Sequence, residues 1–275
     1  MNSWSERSPS PGAWTSVLAI AGRQTRQNFR HVQTAIFMFV LPVAFGLLFG
    51  RLLHVAVASP PDRWVRVVMP GVSADMEGVA RFLFYFGFLA MFVLTTALMN
   101  GAGILEEREN RTLARLLVQG VPYGQVIAGH ALGAALTSAI QTVVLLAIAY
   151  PMGGWPRSSV PATVAVALAL ALAAAGSAVG AAGVAGAGPR LRAAGGVVGA
   201  LLAMLGGAWW PLEVEPTTMQ KLGRLSPVFW AMDGVHRAVA LGAGVADLIM
   251  PILALLLFAA LGGMVGVWGM RRWYA

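Results

Sequence analysis

Residues 160–188 read VPATVAVALALALAAAGSAVGAAGVAGAG, 29 residues without a charged side chain. About 20 mostly apolar residues are enough for a helix to cross the hydrocarbon core of a bilayer. This stretch therefore predicts a transmembrane helix. Its many glycines and alanines also predict close packing against a neighbouring helix, because small residues let helix backbones approach each other in lipid.

Five further stretches have the same character, namely residues 33–57, 82–104, 126–150, 193–210 and 248–270. Of the 275 residues, 58% are hydrophobic and only 11% are charged, which is too little charge to cover the surface of a soluble domain. We predict an all-α integral membrane protein with six transmembrane helices. Residues 1–32 form a cytoplasmic N-terminus without the pattern of a cleaved signal, and residues 33–275 form the membrane domain.

Orientation is predicted from the arginines in the short connections. The connection 189–192, expected to be a tight reversal between the fourth and fifth spans, contains Arg190 and Arg192, whereas residues 151–159 contain only Arg157. Cytoplasmic loops are enriched in Lys and Arg, so we expect both termini in the cytoplasm and the protein in the inner or plasma membrane. Most of the net charge of +8 then faces anionic lipids. The sequence has no basic module interleaved with aromatic residues, so nucleic acid is not expected as a partner.

Residues 14–30, ahead of the first span, have the pattern of an amphipathic helix. At 100° per residue the apolar side chains cluster on one side and the basic ones opposite. The apolar set is Trp14, Val17, Leu18, Ala21 and Phe29, and the basic set is Arg23, Arg26 and Arg30. This pattern predicts a helix lying in the membrane interface, with an ordinary helix packed on a partner as the alternative.

Several kinds of chemistry are disfavoured by the residues present. The chain has no cysteine, and its one lysine, Lys221, is not part of a Gly-Lys-Ser/Thr phosphate loop. The span centres carry almost no ionisable residue, which argues against proton-coupled transport.

An intramembrane hydrolase would need Ser177 and His236 within hydrogen-bond reach, but a packing role for Ser177 is favoured. No metal site is predicted, because the histidines lack paired spacing and are interpreted as packed or interfacial: His31, His54, His130 and His236.

The sequence after the second span, residues 106–122, reads EERENRTLARLLVQGVP. Acidic residues favour the start of a helix, and Gly120 and Pro122 favour its end. Arginines line one face of this predicted cytoplasmic helix and leucines another, which suits docking on a soluble partner. The alternative is a solvated helix stabilised by a Glu107–Arg111 pair.

Prolines interrupt the chain where the fifth span should meet the outer surface, in residues 206–216 (GGAWWPLEVEP) and 225–237 (LSPVFWAMDGVHR). Irregular backbone at membrane depth must be buried in protein or line a cavity. We therefore predict an outer re-entrant gate, a pair of short helices roofing a central cavity. Its candidate residues are Trp209, Trp210, Pro211, Leu212, Pro216 and Pro227.

The second span carries one stripe of adaptable apolar side chains at spacings of three and four residues. The stripe consists of Phe84, Phe88, Met91, Thr95 and Met99. Methionine and aromatic side chains adapt to varied apolar ligands, so the stripe is a candidate substrate path. Ordinary helix packing is the alternative.

Taken in order along the chain, these motifs resemble those of bacterial permease subunits of the ABC-2 type exporters. The resemblance is carried by Thr-Leu-x-x-Leu-Leu followed by Pro, by Gly-Gly-x-x-x-Pro-Leu, and by Leu-Ser-Pro with a later Asp-Gly-x-x-Arg. It covers essentially the whole chain. Two positions depart from the family pattern: Arg111, where glycine is more usual, and residues 119–121, where a Thr-Pro-like turn is more usual.

The resemblance implies that residues 33–275 form a permease domain that pairs with a second permease protomer, either identical or related, and with two copies of an ATP-binding cassette subunit. ATP and Mg would be bound by that subunit, so this chain would carry no cofactor and be no enzyme. It would export a hydrophobic or amphiphilic drug, antibiotic, lipid or glycan, with an ATP-independent transporter or membrane scaffold as the alternative. The implied coupling residues are Glu106, Glu107, Glu109, Arg111, Thr112, Leu113, Arg115, Leu116 and Leu117.

Overall fold

The computed structural model describes residues 12–30, 32–58, 77–152, 155–209 and 216–272, and within these ranges the chain forms helices and no strand. A five-residue π-helical turn, Ile36–Val40, joins the second and third helices. The helices are α1 (Ala13–Arg30), α2 (Val32–Ala35), α3 (Leu41–Ala58), α4 (Glu77–Asn100), α5 (Ala102–Glu109), α6 (Thr112–Val118), α7 (Tyr123–Ala149), α8 (Val160–Val184), α9 (Gly188–Leu205), α10 (Thr217–Gly223), α11 (Pro227–Ala240) and α12 (Ile249–Arg271).

Four helical stretches of the described chain are long and apolar enough to cross a membrane: Gly78–Glu109, Tyr123–Ala149, Arg157–Val184 and Val245–Arg271. A shorter apolar helix, Ile36–Leu52, corresponds to the first predicted span. The fifth predicted span corresponds to α9, which carries two arginines in its first turns. The all-helical fold class is confirmed, and the count of six spans stays a prediction.

The connection between the fourth and fifth predicted spans was wrongly placed. Pro189 and Arg190 lie in the first turn of α9, and the chain reverses earlier, between Val184 and Gly188. Proline is favoured in the first helical turn because its missing N–H would have no partner there. Helix α9 then ends at Leu205, before Gly207, whose φ of 79° is readily adopted by glycine.

Helix α4 occupies the centre of the fold and α12 its periphery. Phe86, Leu89 and Leu94 of α4 are fully buried, since the helix is surrounded by α3, α7, α8, α9 and α11. Helix α12 instead leaves Leu253 and Leu257 more than half exposed, as expected of a lipid-facing helix. The core therefore lies around the second predicted span.

Helices α8 and α12 meet through their backbones. A Cβ atom added to Gly262 would lie 2.5 Å from the carbonyl oxygen of Gly176, and one added to Gly180 would lie 2.8 Å from the carbonyl oxygen of Gly262. No side chain fits at either position. The small residues of 160–188 thus serve the close packing that the sequence predicts. We call this contact the glycine seam.

Helix α1 is present where an amphipathic helix was predicted, but one side of it packs on α7. Ile20 faces Gly129, and Gln24 faces Gly133. Because residue numbers increase together along both helices, α1 and α7 run in the same direction. Val17 and Ala21 are buried, whereas Trp14, from the same predicted apolar face, is 78% exposed. One part of the predicted apolar face is therefore covered by α7, and the other part remains exposed.

The π-helical turn is braced by a buried polar side chain of α7. Gln141, which is fully buried, donates from Nε2 to the carbonyl oxygen of Met38 at 3.1 Å and accepts from Thr96 Oγ1 at 2.7 Å. A π turn leaves its carbonyls without the regular helical partner, and an amide side chain can satisfy one of them inside the membrane. This bond ties the start of the first predicted span to α7 and α4.

Candidate coupling site and outer segment

The predicted coupling helix is two helices rather than one. Its glutamates belong to the end of α5, and Thr112 begins α6. Between them Arg111 adopts a left-handed conformation, with φ of 58°, which breaks the helix and redirects the chain. A side chain in this conformation is unfavourable by about 1–2 kcal/mol, which gives a physical reason for glycine being usual at this position in the family that the sequence resembles.

Helix α6 is anchored on one side and exposed on the other. Leu113 is buried against Ile20 of α1 and Val126 of α7, and Leu116 packs on the same cluster. The remaining predicted coupling residues Thr112 and Leu117 are partly buried. Arg111 and Arg115 are exposed, and Val118 is 89% exposed. The fold thus presents an outward face, defined by Arg111, Arg115 and Val118, which we call the α6 face.

Two of the three glutamates at the end of α5 connect it to the start of α9. Glu106 Oε1 accepts a hydrogen bond from Arg192 Nη2 at 2.6 Å. Glu109 Oε1 accepts from the backbone N–H of Gly188, the first residue of α9, at 3.0 Å. A carboxylate at a helix N-terminus satisfies an otherwise unpaired N–H and interacts favourably with the helix dipole. These residues face other parts of the same chain.

Glu107 connects α5 to two further helices. Its Oε1 accepts from Arg23 Nη2 of α1 at 2.5 Å, and its Oε2 lies 3.2 Å from His130 Nε2 of α7. The other ring nitrogen of His130, Nδ1, lies 3.1 Å from Gln24 Oε1 of α1, which closes a ring of contacts. The Glu107 and His130 side chains are only 15% and 3% exposed. We call these four residues the Glu107 cluster.

The contacts within the cluster differ in kind. The Arg23–Glu107 contact is a charged hydrogen bond, whereas Glu107 Oε2 and His130 Nε2 are close without being aligned as a hydrogen bond. Sequence reasoning treated His130 as a packed residue and did not single out Gln24. Glu107 lies 84 residues from Arg23 along the chain, so no local pattern could have paired them.

The outer segment is described only in part. Trp210, Pro211 and Leu212 lie outside the described residues. Trp209 donates from Nε1 to Met91 Sδ at 3.3 Å. Pro216 directly precedes α10 and Pro227 begins α11, whose N-cap residue Ser226 accepts from the N–H of Val228. Two short helices therefore follow α9, and their function as a gate over a cavity stays a prediction.

The candidate substrate stripe is covered within the single chain. Phe88, Met91 and Thr95 are buried, while Phe84 and Met99 are partly buried. The Phe88 ring lies 5.5 Å from that of Phe45 and 4.9 Å from that of Phe49, both in α3. A Cβ added to Gly199 of α9 would lie 2.5 Å from Thr95 Oγ1. In this conformation the stripe is a packing surface, and a path along it would require α9 or α3 to move away from α4.

Ser177 and His236 do not form a hydrolase pair. The Ser177 hydroxyl donates to the carbonyl oxygen of Ala173 in its own helix at 2.8 Å. Helix α11, which carries His236, meets α8 where Gly234 faces Val166. Eleven residues separate Val166 from Ser177, about 16 Å along the helix axis. No group of three residues able to hold a metal ion is found in the described part of the chain.

Together these features define a multi-pass, all-helical membrane protein that displays a short helix after its second apolar span. The chain belongs to the ABC-2 type transporter family, whose model matches residues 15–240, from α1 to the end of α11. It is also similar to the linearmycin resistance permease protein LnrN of Bacillus subtilis (strain 168). The two are 29% identical over 185 residues, which are 67% of this chain and 48% of the relative. The chain thus spans about half the length of that relative.

Proposed function

We propose that this chain is the permease subunit of an ATP-driven exporter and that the α6 face docks on a separate ATP-binding cassette subunit. Membership of the ABC-2 type transporter family supports the class of transporter. Two copies of the cassette subunit would bind ATP and Mg, and two permease protomers, identical or related, would form the membrane part. This chain itself would have no catalytic function.

The observation that carries the docking proposal is the two-sided environment of α6. Leu113 is buried in the fold, so the helix is held in a fixed place, while Arg111, Arg115 and Val118 on the other side are exposed. Two exposed arginines followed by an exposed apolar residue suit a groove with an acidic rim, where charge complementarity selects the partner. The glutamates at the end of α5 instead contact α1, α7 and α9 of the same chain.

The proposed substrate is an amphiphilic compound, and the proposed direction is outward. A relative named for resistance to linearmycin supports an antibiotic as one member of this class. The aromatic and methionine residues of the α4 stripe would supply an adaptable apolar surface once α9 moves away. The backbones of α9 and α4 approach closely at Gly195 and Gly199, and at these two positions α9 has no side chain to withdraw when the contact opens.

The docking proposal is tested by charge reversal of the α6 face. The chain is co-expressed with an ATP-binding cassette subunit from the same genome, and the complex is purified through a tag on that subunit. Changing Arg111→Glu and Arg115→Glu together should lower the co-purified chain by about tenfold or more, because interfacial charges would then face like charges. Coupled ATPase activity should fall in parallel.

The matched control is Arg157→Glu. Arg157 is an exposed arginine between the end of α7 and the start of α8, whereas α6 lies next to the start of α7. The substitution changes the net charge in the same sense without touching α6. Normal co-purification and normal ATPase activity in the double variant would show that the α6 face is not the docking surface.

A further inference from the structure

The Glu107 cluster is placed where three helices meet. Arg23 and Gln24 come from α1, Glu107 from α5 and His130 from α7. Each helix contributes a polar side chain whose partner lies on another of the three. The cluster therefore fixes the positions of all three helices relative to one another, and it does so directly beside the break at which α6 begins.

These contacts are resistant to separation because the acidic group and the imidazole are buried. The Glu107 side chain is enclosed by Arg23 and His130, and pulling α1 away from α5 would leave a buried carboxylate without its cation. Separating a buried ion pair in this way is strongly unfavourable. The other two glutamates at the end of α5 have their own partners: Glu106 is paired with Arg192, and Glu109 with the N–H of Gly188.

Packing on either side of the cluster reinforces the same three-helix arrangement. Towards the start of α7, Leu113 of α6 is buried between Ile20 of α1 and Val126 of α7. Further along both helices, Asn28 of α1 donates a hydrogen bond to Thr137 Oγ1 of α7 at 3.3 Å. Between these points the backbones of α1 and α7 meet at Gly129 and Gly133. Apolar packing, close backbone contact and charge thus act on one interface.

We infer that the Glu107 cluster clamps α1, α5, α6 and the first half of α7 into one rigid unit, which moves as a whole when the α6 face is displaced and does not separate internally. The inference rests on the proposed function in one respect, that an ATP-binding partner displaces α6. Its consequence is that displacement of α6 is transmitted to α1, and so to the first predicted span, without a change in the α1–α7 contact.

The first experiment uses the chain alone, which has no native cysteine. Ala21→Cys on α1 and Thr137→Cys on α7 place single thiols on the two sides of the buried interface, and the rate of modification by N-ethylmaleimide reports its opening. Glu107→Gln should raise the labelling rate of both thiols by about tenfold or more, because the buried pair is broken. Two probes are used so that poor folding of one variant does not decide the outcome.

Two control substitutions separate this effect from a general loss of charge. Glu106→Gln removes the exposed partner of Arg192, and Arg26→Gln removes an exposed charge from α1. Both should leave the labelling rates within about twofold of the unmodified background, since exposed charges contribute little. Equal labelling rates with and without Glu107→Gln would overturn the inference, whatever the function of the chain.

The second experiment uses the complex with the ATP-binding cassette subunit in detergent. Labelling of Ala21→Cys and Thr137→Cys is measured without nucleotide and after trapping with ATP and orthovanadate. Equal, slow labelling in both states supports a rigid unit, and accelerated labelling after trapping would show that α1 leaves α7. Failure to form a complex would count against the proposed function alone, because the first experiment does not depend on it.

Discussion

The glycine seam and the Glu107 cluster hold helices together by opposite means. At the seam between α8 and α12, side chains are missing altogether, and the backbones touch at Gly176, Gly180 and Gly262. At the Glu107 cluster, long polar side chains reach across from one helix to another. The first contact lies within two of the apolar spans, and the second lies at the end of a third, where α5 completes the span Gly78–Glu109.

The difference follows from the surroundings of each contact. In lipid there is no hydrophobic driving force between helices, so tight van der Waals contact between small residues stabilises the pair. At the end of a span a charged side chain can stay partly exposed, as Arg23 does, so it avoids the full desolvation penalty and adds directional contacts. The membrane part is thus defined by shape and the coupling part by charge.

The largest effect is expected from removing the charge at the centre of the Glu107 cluster. Glu107→Ala should lower the free energy of unfolding by about 2–3 kcal/mol, since the Arg23 guanidinium loses a charged hydrogen bond and the buried His130 ring loses a neighbouring carboxylate. Glu106→Ala, which breaks the exposed pair with Arg192, should lower it by only about 0–1 kcal/mol. Thermal unfolding of the two purified variants measures the difference, and equal losses would show that burial does not distinguish the two pairs.

A smaller effect is expected at the glycine seam. Gly262→Val should destabilise the protein by about 1–3 kcal/mol, because the new side chain overlaps the backbone of α8. Gly263, the next residue, has nothing within 4 Å of the position of an added Cβ, and Gly263→Val should have little effect. Recovery of monodisperse protein after mild heating in detergent compares the two. If both variants behave alike, α8 and α12 do not meet as described.

The smallest effect is expected at Arg111, and it has the opposite sign. Arg111→Gly removes the cost of a side chain in the left-handed conformation and should stabilise the chain by about 1 kcal/mol. Arg115→Gly places glycine inside α6 instead and should destabilise by about 1 kcal/mol. The two melting temperatures should therefore shift in opposite directions, and shifts in the same direction would argue against the break at Arg111.

The fold class could be predicted from the sequence because its signal is local. An apolar run such as 160–188 needs no partner to be recognised, and the helix found there begins at Val160. Errors arose where local signals compete. Pro189 suggested a turn, yet proline also suits the first turn of a helix. In residues 106–117 the helix pattern continues through Arg111, whereas the chain breaks there and Leu113 packs on α1 and α7.

The site was harder to predict because its contacts join distant parts of the chain. The leucine that anchors α6 was among the predicted coupling residues, and so were the exposed arginines. The sequence offered no reason to pair Glu107 with His130 or Arg23, since a helix-surface pattern suggested Arg111 as the nearer partner. Which charge on a helix faces inward depends on the arrangement of its neighbours, and that arrangement is not visible in any one segment.

The glycine seam also has a consequence for how the protein is made. Gly176 and Gly262 are 86 residues apart, so α8 leaves the ribosome well before the helix that fills its glycine face. At synthesis rates of about 5–20 residues per second, the delay is about 4–17 s. Throughout this interval α8 has lipid or the insertion machinery as its neighbour. Tight assembly of this region is therefore completed only when α12 enters the membrane.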